Sequence, residues 1–210
     1  MRTRSAALFA AALMTAVTIS ARSADDDFKP LVQGNDPAQF ELVGITADAI
    51  KIVDGEVRLA GKPNGYFATK DRYKDYVLQF EWKYERPEGL ESDAKFTGNS
   101  GLLVNIDGPA KVWPKCIEFQ LANGSVGQIL NVSGGKSSAA YYDQAAKAAT
   151  KPVGEWNTME VRCLNDSTTC THNGVVASKG AAFSPAEGQI GWQSEGAPIR
   201  FRNLRIKALK

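Results

Sequence analysis

The sequence predicts an all-β protein, a sandwich or jelly roll, and three observations support this prediction. Tyr76 to Tyr84 alternates regularly between apolar and polar side chains, the period-2 pattern of a half-buried strand. Asp54-Gly55 and Asn173-Gly174 are tight-turn dipeptides that stand between short strand-like segments. Most other apolar segments are short and are separated by Gly, Pro and Asn, which is typical of sheet-on-sheet folds.

The remaining elements follow from the same patterns. Ala139 to Thr150 is rich in alanine and ends before Pro152, so it predicts a short helix or a long loop on one rim. Arg86 to Gly98 is polar and is predicted to be an exposed loop. Further strands are predicted at Ala49–Val53, Glu56–Leu59, Tyr66–Thr69, Gly101–Ile106, Cys116–Leu121, Asn157–Cys163, Thr169–His172, Val175–Ala177, Gln189–Gln193 and Ile199–Ile206.

The first 23 residues have the pattern of a secretory signal peptide. Arg2 and Arg4 precede an apolar stretch from Ala6 to Ile19, and the small residues Ala21 and Ser23 follow at cleavage-like spacing. A membrane anchor is the alternative, but the apolar stretch is shorter than the roughly 20 residues that a spanning helix needs. We therefore expect removal of residues 1–23 and a secreted or periplasmic protein, with no membrane span after signal removal.

Length and charge limit the remaining possibilities. Residues 24–210 suffice for one sandwich domain. The formal net charge of the 210-residue chain is +2, so no basic excess is available to neutralise the phosphates of a nucleic acid.

Export would place three cysteines in an oxidising compartment, which permits a disulfide. Cys163 and Cys170 flank the turn-like Asn165-Asp166-Ser167, so a hairpin there would bring them face to face. Sequence does not fix the required separation, and both the bridged and the free state stay open. Cys116 is then left over, as a small buried hydrophobe.

The strand from Cys116 to Leu121 presents Glu118 and Gln120 on the face opposite its aliphatic residues. The same alternation puts Glu81 on the polar face of the Tyr76–Tyr84 strand. If the strands are neighbours, Glu81 and Glu118 would meet in one groove as paired catalytic carboxylates. The alternative is that both residues simply face water.

Aromatic residues supply possible stacking platforms for sugars. Trp113 is predicted to be exposed because its loop is polar, whereas Trp192 is equally compatible with the core. The chain has no phosphate-binding loop, dinucleotide motif or nucleophile elbow. One histidine, His172, is too few for a His-rich zinc centre. No cofactor is predicted, although a divalent metal held by carboxylates remains possible.

An ordered set of motifs resembles the 3-keto-disaccharide hydrolase family over roughly Pro30 to Lys207. The motifs are Asn99-Ser100-Gly101, Glu118-Phe119-Gln120, Pro152-Val153-Gly154-Glu155-Trp156-Asn157, His172-Asn173-Gly174, Gly188-Gln189-Ile190-Gly191-Trp192-Gln193-Ser194-Glu195-Gly196 and Phe201-Arg202-Asn203-Leu204-Arg205-Ile206. Ala122-Asn123 departs from the family pattern, in which an acidic residue often follows the Glu-x-Gln pair.

The resemblance implies a concanavalin-like jelly-roll sandwich of two antiparallel sheets and action on 3-keto-glycosides or related sugars, with Glu118 as a base on the concave sheet face. Glu81 stays the second catalytic candidate on the strand alternation described above. The polar contacts that go with this role are Asn99, Gln120 and Lys115. The exposed Trp113 and Glu195 complete the set of candidate substrate-binding residues. A non-catalytic carbohydrate-binding module on the same fold is the alternative function, and a structural accessory domain is a third.

Overall fold

Two antiparallel β-sheets pack face to face in the computed structural model, which describes residues 27–210 and confirms the predicted jelly-roll sandwich. The predicted signal peptide, residues 1–23, lies outside the described residues. One sheet has nine strands in the order β10-β13-β12-β11-β6-β15-β4-β3, with β1 pairing with β15. The other has six strands in the order β2-β5-β14-β7-β8-β9.

The strands of the nine-stranded sheet come from all parts of the chain. They are β1 (Lys29–Pro30), β3 (Ile50–Val53), β4 (Glu56–Leu59), β6 (Tyr76–Tyr84), β10 (Lys136–Tyr141), β11 (Asn157–Leu164), β12 (Ser167–His172), β13 (Val175–Ser184) and β15 (Ile199–Ala208). The strands of the six-stranded sheet are β2 (Glu41–Val43), β5 (Gly65–Ala68), β7 (Gly101–Asp107), β8 (Lys115–Gln120), β9 (Ile129–Val132) and β14 (Gln189–Ser194).

The core lies between the inner faces of the two sheets, because each inner strand turns every second, apolar side chain toward it. Ile117 and Phe119 of β8 and Trp192 of β14 are fully buried there. The Trp192 and Phe67 rings stack with centroids 5.1 Å apart. Trp192 is thus a core residue, and the alternative of a sugar platform does not apply to it.

The predicted strands all occur, β6 has the predicted bounds, and most other ends lie within two residues of the prediction. The exception is β13, which continues seven residues past the predicted end at Ala177, to Ser184. The Ala-rich stretch divides into the end of β10 and a short helix, α1 (Asp143–Ala149). The sequence analysis missed β1, β2, β9 and β10. These are edge or exposed strands, where period-2 alternation is weak because neither face is fully buried. No helix within residues 27–210 is both long and apolar enough to cross a membrane.

The predicted hairpin between β11 and β12 forms, but it does not join its two cysteines. Cys163 lies opposite Thr168, and Cys170 lies opposite Val161, so the sulfurs are offset diagonally across the strands. Both thiols are free and buried. Of the two states that the sequence left open, the structure has the free one and not the candidate Cys163–Cys170 disulfide, because the register displaces each cysteine by two positions from the other.

Candidate active site

Glu118 lies on the outer face of the six-stranded sheet, in β8 between β7 and β9. It is opposite Leu103 on one side and Leu130 on the other. Its neighbours Ile117 and Phe119 point into the core, so strand alternation turns the carboxyl group outward as predicted. The residue is nevertheless only 6% exposed, because the surrounding side chains cover it.

A glycine beside Glu118 makes room for its carboxyl group. The Trp192–Leu102 pair of β14 and β7 places Gln193 next to Gly101. An ideal Cβ atom on Gly101 would overlap Oε1 of both Glu118 and Gln193 and would lie 2.8 Å from Glu118 Cδ. The carboxyl and the amide therefore converge over the bare backbone of β7.

Several polar atoms of this cluster are buried without a hydrogen-bond partner among the described residues. They are Glu118 Oε1, Gln193 Oε1, Gln193 Nε2 and Asn99 Oδ1. A buried polar atom without a partner costs roughly 1–3 kcal/mol, so such groups mark places where a ligand gains from binding. The cluster offers both acceptors and, at Gln193 Nε2, a donor.

A second carboxylate acts on Glu118. Burial, and next the negative charge of Glu195, raise the pKa of Glu118 to about 7. Burial also raises the pKa of Glu195, and a hydrogen bond from Asn99 opposes that rise. Asn99 is held beside Glu195 by backbone bridges to Glu195 and Gly196. The site thus combines two carboxyl groups that titrate above the ordinary range.

Core residues fix the backbone under this cluster. The Ser100 hydroxyl, fully buried, donates to the Gln193 carbonyl at 2.8 Å and ties the start of β7 to β14. The Tyr84 hydroxyl crosses from the nine-stranded sheet and donates to the Leu121 carbonyl at 3.1 Å. Burial, and next the negative charges of Glu195 and Glu118, raise the pKa of Tyr84.

The structure does not place two of the predicted substrate contacts, Gln120 and Lys115, as the prediction requires. Gln120 shares the face of Glu118, but its Oε1 accepts hydrogen bonds from the backbone amides of Leu121 and Ala122 at 2.8 and 2.9 Å. Lys115 is exposed at the first position of β8. Because it stands two residues before Ile117, which faces the core, it is on the side of the strand opposite Glu118. The structure therefore gives Gln120 a structural role at the strand end and does not place Lys115 on the Glu118 face.

Trp113 is exposed, as predicted, in the loop that precedes β8. Its carbonyl accepts a hydrogen bond from the Ser133 hydroxyl at 3.0 Å. The neighbouring Val112 approaches Gly44 closely, since a Cβ there would lie 2.7 Å from Val112 Cγ2. This loop therefore reaches β2, the edge strand of the six-stranded sheet. It precedes the first residue of β8, whereas Gln120 is the last residue of that strand.

Glu81 is not part of this site. It lies in β6 of the other sheet and faces outward on the far side of the sandwich. Arg202 donates to its Oε2 through Nε and Nη2 at 2.9 and 2.7 Å. The predicted Glu81–Glu118 pair is wrong because β6 and β8 belong to different sheets, and Glu195 is the carboxylate that accompanies Glu118.

The sequence analysis missed Gln193 and Gly101 as site residues. The signal was present in the alternation of Gly191-Trp192-Gln193, since a core tryptophan turns the next residue outward. What sequence did not provide was the pairing of β14 with β7, which makes Gln193 and Gly101 neighbours. Within residues 27–210, no group of three or more His, Cys, Asp and Glu side chains converges as a metal site.

The fold and this buried carboxylate cluster define a jelly-roll protein with a candidate active site on the outer face of its six-stranded sheet. Residues 27–207 match the sequence profile of the 3-keto-alpha-glucoside-1,2-lyase-like domain. The chain belongs to this family, which confirms the resemblance found in its motifs. Comparison with curated proteins gives no match.

Solved structures of other proteins have the same fold. Two candidate glycosyl hydrolases from Parabacteroides distasonis superpose with TM-scores of 0.61 and 0.63 at 19% and 18% identity. The alignments cover 87% and 89% of this chain and 99% and 96% of those chains. An endo-acting O-glycanase of the human gut microbiota superposes with a TM-score of 0.53 at 13% identity, covering 87% of this chain and 98% of that chain.

Proposed function

We propose that this protein is an exported enzyme that cleaves 3-keto-glycosides or related sugars, with Glu118 as the general base. The observation that carries the proposal is the Glu118 carboxyl group, buried over Gly101 with an unpartnered oxygen beside Gln193. A base that ionises near neutral pH is suited to remove a weakly acidic C–H proton, and burial gives Glu118 this property. The family name, a 1,2-lyase acting on 3-keto-glucosides, fits such chemistry.

The proposed reaction runs by elimination and hydration. The 3-keto group acidifies the proton on C2, and the Glu118 carboxylate takes that proton. The electron pair of the C–H bond forms a C1–C2 double bond while the glycosidic C1–O bond breaks. Water then adds across the double bond, with its oxygen on C1 and a proton on C2, so that the products are a free 3-keto sugar and the released alcohol.

Two further groups have roles in this scheme. Gln193 Nε2 is a buried donor without a partner among the described residues, and it would stabilise the negative charge that develops on the C3 oxygen. Glu195 is ionised when Glu118 is, because its negative charge helps to raise the pKa of Glu118, so it would set the pH range in which the base works. The leaving glycosidic oxygen would take its proton from water. Asn99 would hold Glu195 in position through its side-chain hydrogen bond.

The test is turnover of purified protein on 3-keto-glucosides beside their unoxidised parents, with and without a chelator. Only the keto forms should react, and Glu118→Gln should abolish turnover while substrate still binds. Glu85→Gln is the matched control, because Glu85 is an exposed carboxylate paired with Arg200 on the other sheet. Full activity of Glu118→Gln would refute the assignment of the base.

A carbohydrate-binding module on the same fold is the second candidate, and the exposed Trp113 favours it. A module would bind both keto and parent sugars without turnover, and Trp113→Ala would weaken binding more than Glu118→Gln. Export is tested separately by sequencing the N-terminus of protein recovered from the periplasm or the medium. A start at Ala24 would support removal of residues 1–23, whereas recovery of the intact chain from the cytoplasm would contradict it.

A further inference from the structure

A groove of about 720 Å³ lies on the outer face of the nine-stranded sheet, on the opposite side of the sandwich from Glu118. Its floor is formed by four neighbouring strands, β12, β11, β6 and β15. Phe28 and Pro30 line it on one side and Gly174 lines it on the other. The volume is within the roughly 300–1,000 Å³ that is typical of small-molecule sites.

One row of polar side chains crosses the floor. Thr171, Glu160, Gln79 and Arg205 stand opposite one another on the four strands. Arg205 Nε donates to Gln79 Oε1 at 2.8 Å, and Gln79 Nε2 donates to Glu160 Oε2 at 2.6 Å. The hydrogen bonds hold three planar groups in a fixed line, so little side-chain entropy is lost when a ligand binds to them.

A second row holds another fixed carboxylate. Glu81 of β6 is paired with Thr158 of β11 on one side and with Arg202 of β15 on the other. Besides the two bonds from Arg202, it accepts a bond from Asn203 Nδ2 at 2.5 Å on Oε1. Asn203 adopts a φ of +54° where the register of β15 shifts, and this bulge turns its amide to the groove.

The charges of the floor balance, since Arg202 beside the groove neutralises the Glu81 carboxylate and the floor itself carries Glu160 and Arg205. An anionic or cationic ligand would meet like charge as well as opposite charge there, so the floor favours a neutral polar ligand. Oriented carboxylate, amide and guanidinium groups form paired hydrogen bonds with adjacent hydroxyls. Phe28, whose ring lies 4.8 Å from Arg205 Cζ, adds an apolar edge for the C–H face of such a ligand.

We propose that this groove is a second binding site, for a neutral saccharide, independent of the site at Glu118. It contributes binding and no bond cleavage, so it goes beyond the proposed enzymatic function. A chain that acts on sugars through one sheet would thereby hold a carbohydrate on the other.

The test is an NMR titration of the ¹⁵N-labelled full chain with D-glucose and with the neutral disaccharide trehalose, following the side-chain amides of Gln79 and Asn203. Both amides should shift and saturate, and Gln79→Ala should weaken binding roughly tenfold. Thr158→Trp is a second variant that fills the groove from an exposed strand position and should also abolish the shifts. Arg58→Ala, on the same sheet face outside the groove, is the control.

Glu118→Gln separates this proposal from the proposed catalytic function, because it should leave the groove titration unchanged. Three results would overturn the proposal. They are shifts confined to the Gln120 and Gln193 amides, no saturable shift of the Gln79 and Asn203 amides at tens of millimolar sugar, and tighter binding of glucuronate than of glucose.

Discussion

The carboxyl group of Glu118 occupies the space in which any residue other than glycine at position 101 would carry its Cβ atom. Glu118 Cδ lies 2.8 Å from that position, closer than real Cβ contacts come. The Gln193 amide enters the same space from β14. Both side chains therefore depend on the absence of a side chain at Gly101, although neither is adjacent to it in sequence.

Gly101→Ala should inactivate the enzyme without unfolding it. The added methyl group would displace the Glu118 carboxyl and the Gln193 amide, whereas Gly101 itself does not have a positive φ that would require glycine. We expect kcat to fall by at least about 100-fold, since misplacement by about 1 Å has that effect. The measurement is turnover together with a thermal melt. Loss of the folded state, or wild-type kcat, would contradict this account of Gly101.

Turnover should rise with pH through about 7. Burial and the charge of Glu195 raise the pKa of Glu118 to about 7, and only its ionised form can accept a proton. Below that pH the carboxyl is protonated and inactive, so log kcat/KM should fall as the pH falls from 8 to 5. A pH–rate profile checks this. An inflection near 4.5, the ordinary pKa of a glutamate, would show that Glu118 is not the buried base.

The raised pKa of Glu118 also affects the free energy of unfolding, which should fall as the pH rises, whereas turnover should increase. A carboxyl group whose pKa is higher in the folded than in the unfolded state stabilises the fold while protonated. The contribution is fully present below the unfolded pKa of about 4.5 and is lost as pH rises through about 7. Glu118→Gln should therefore be more stable than the wild type above pH 7 and similar near pH 4.

The sheets and the outward face of Glu118 were predictable from sequence, because β6 and β8 bury one face each and alternation then fixes every side chain's direction. The partner of Glu118 was not predictable in this way. Glu81 and Glu118 both face outward, but local alternation does not tell which sheet a strand joins, and long-range pairing put them on opposite sides. For the same reason, local alternation did not predict that Gln193 and Gly101 are neighbours, and it did not predict the two-residue offset between Cys163 and Cys170.

Glu81→Gln should cost stability and leave turnover intact. The wild-type carboxylate accepts bonds from Arg202 and Asn203, and a glutamine would lose the charge and keep only one acceptor oxygen. Because Glu81 is partly buried, we expect a loss of about 1–2 kcal/mol in the free energy of unfolding. Urea denaturation and turnover measured on one preparation give both quantities. A loss of kcat at unchanged stability would return Glu81 to the catalytic site.

Cys163 and Cys170 should resist alkylation in the native protein and react after unfolding. Both are buried, and burial raises the pKa of Cys163 and raises that of Cys170 to about 12, so little thiolate exists at neutral pH. Mass spectrometry after iodoacetamide treatment, with and without denaturant, measures this. If the denatured, unreduced protein failed to take up label at these two residues, a bond between them would be indicated and the free state contradicted.

His172 should make the fold sensitive to acid. Its ring is fully buried and stacks on Trp82 with centroids 6.1 Å apart, and one ring nitrogen lies 3.1 Å from the Thr150 hydroxyl. Burial lowers the pKa of His172 to about 4 from an ordinary 6.5. Between these two pH values the imidazole is protonated in the unfolded chain and neutral in the folded chain. The contribution of neutral His172 to the free energy of unfolding should be fully present above pH 6.5 and should fall by about 3 kcal/mol as the pH drops to 4. Urea denaturation of the wild type and of His172→Gln from pH 7 to pH 4 measures the difference. The variant should lose less stability over that range, and parallel curves for the two proteins would show that the buried imidazole is not the acid-sensitive group.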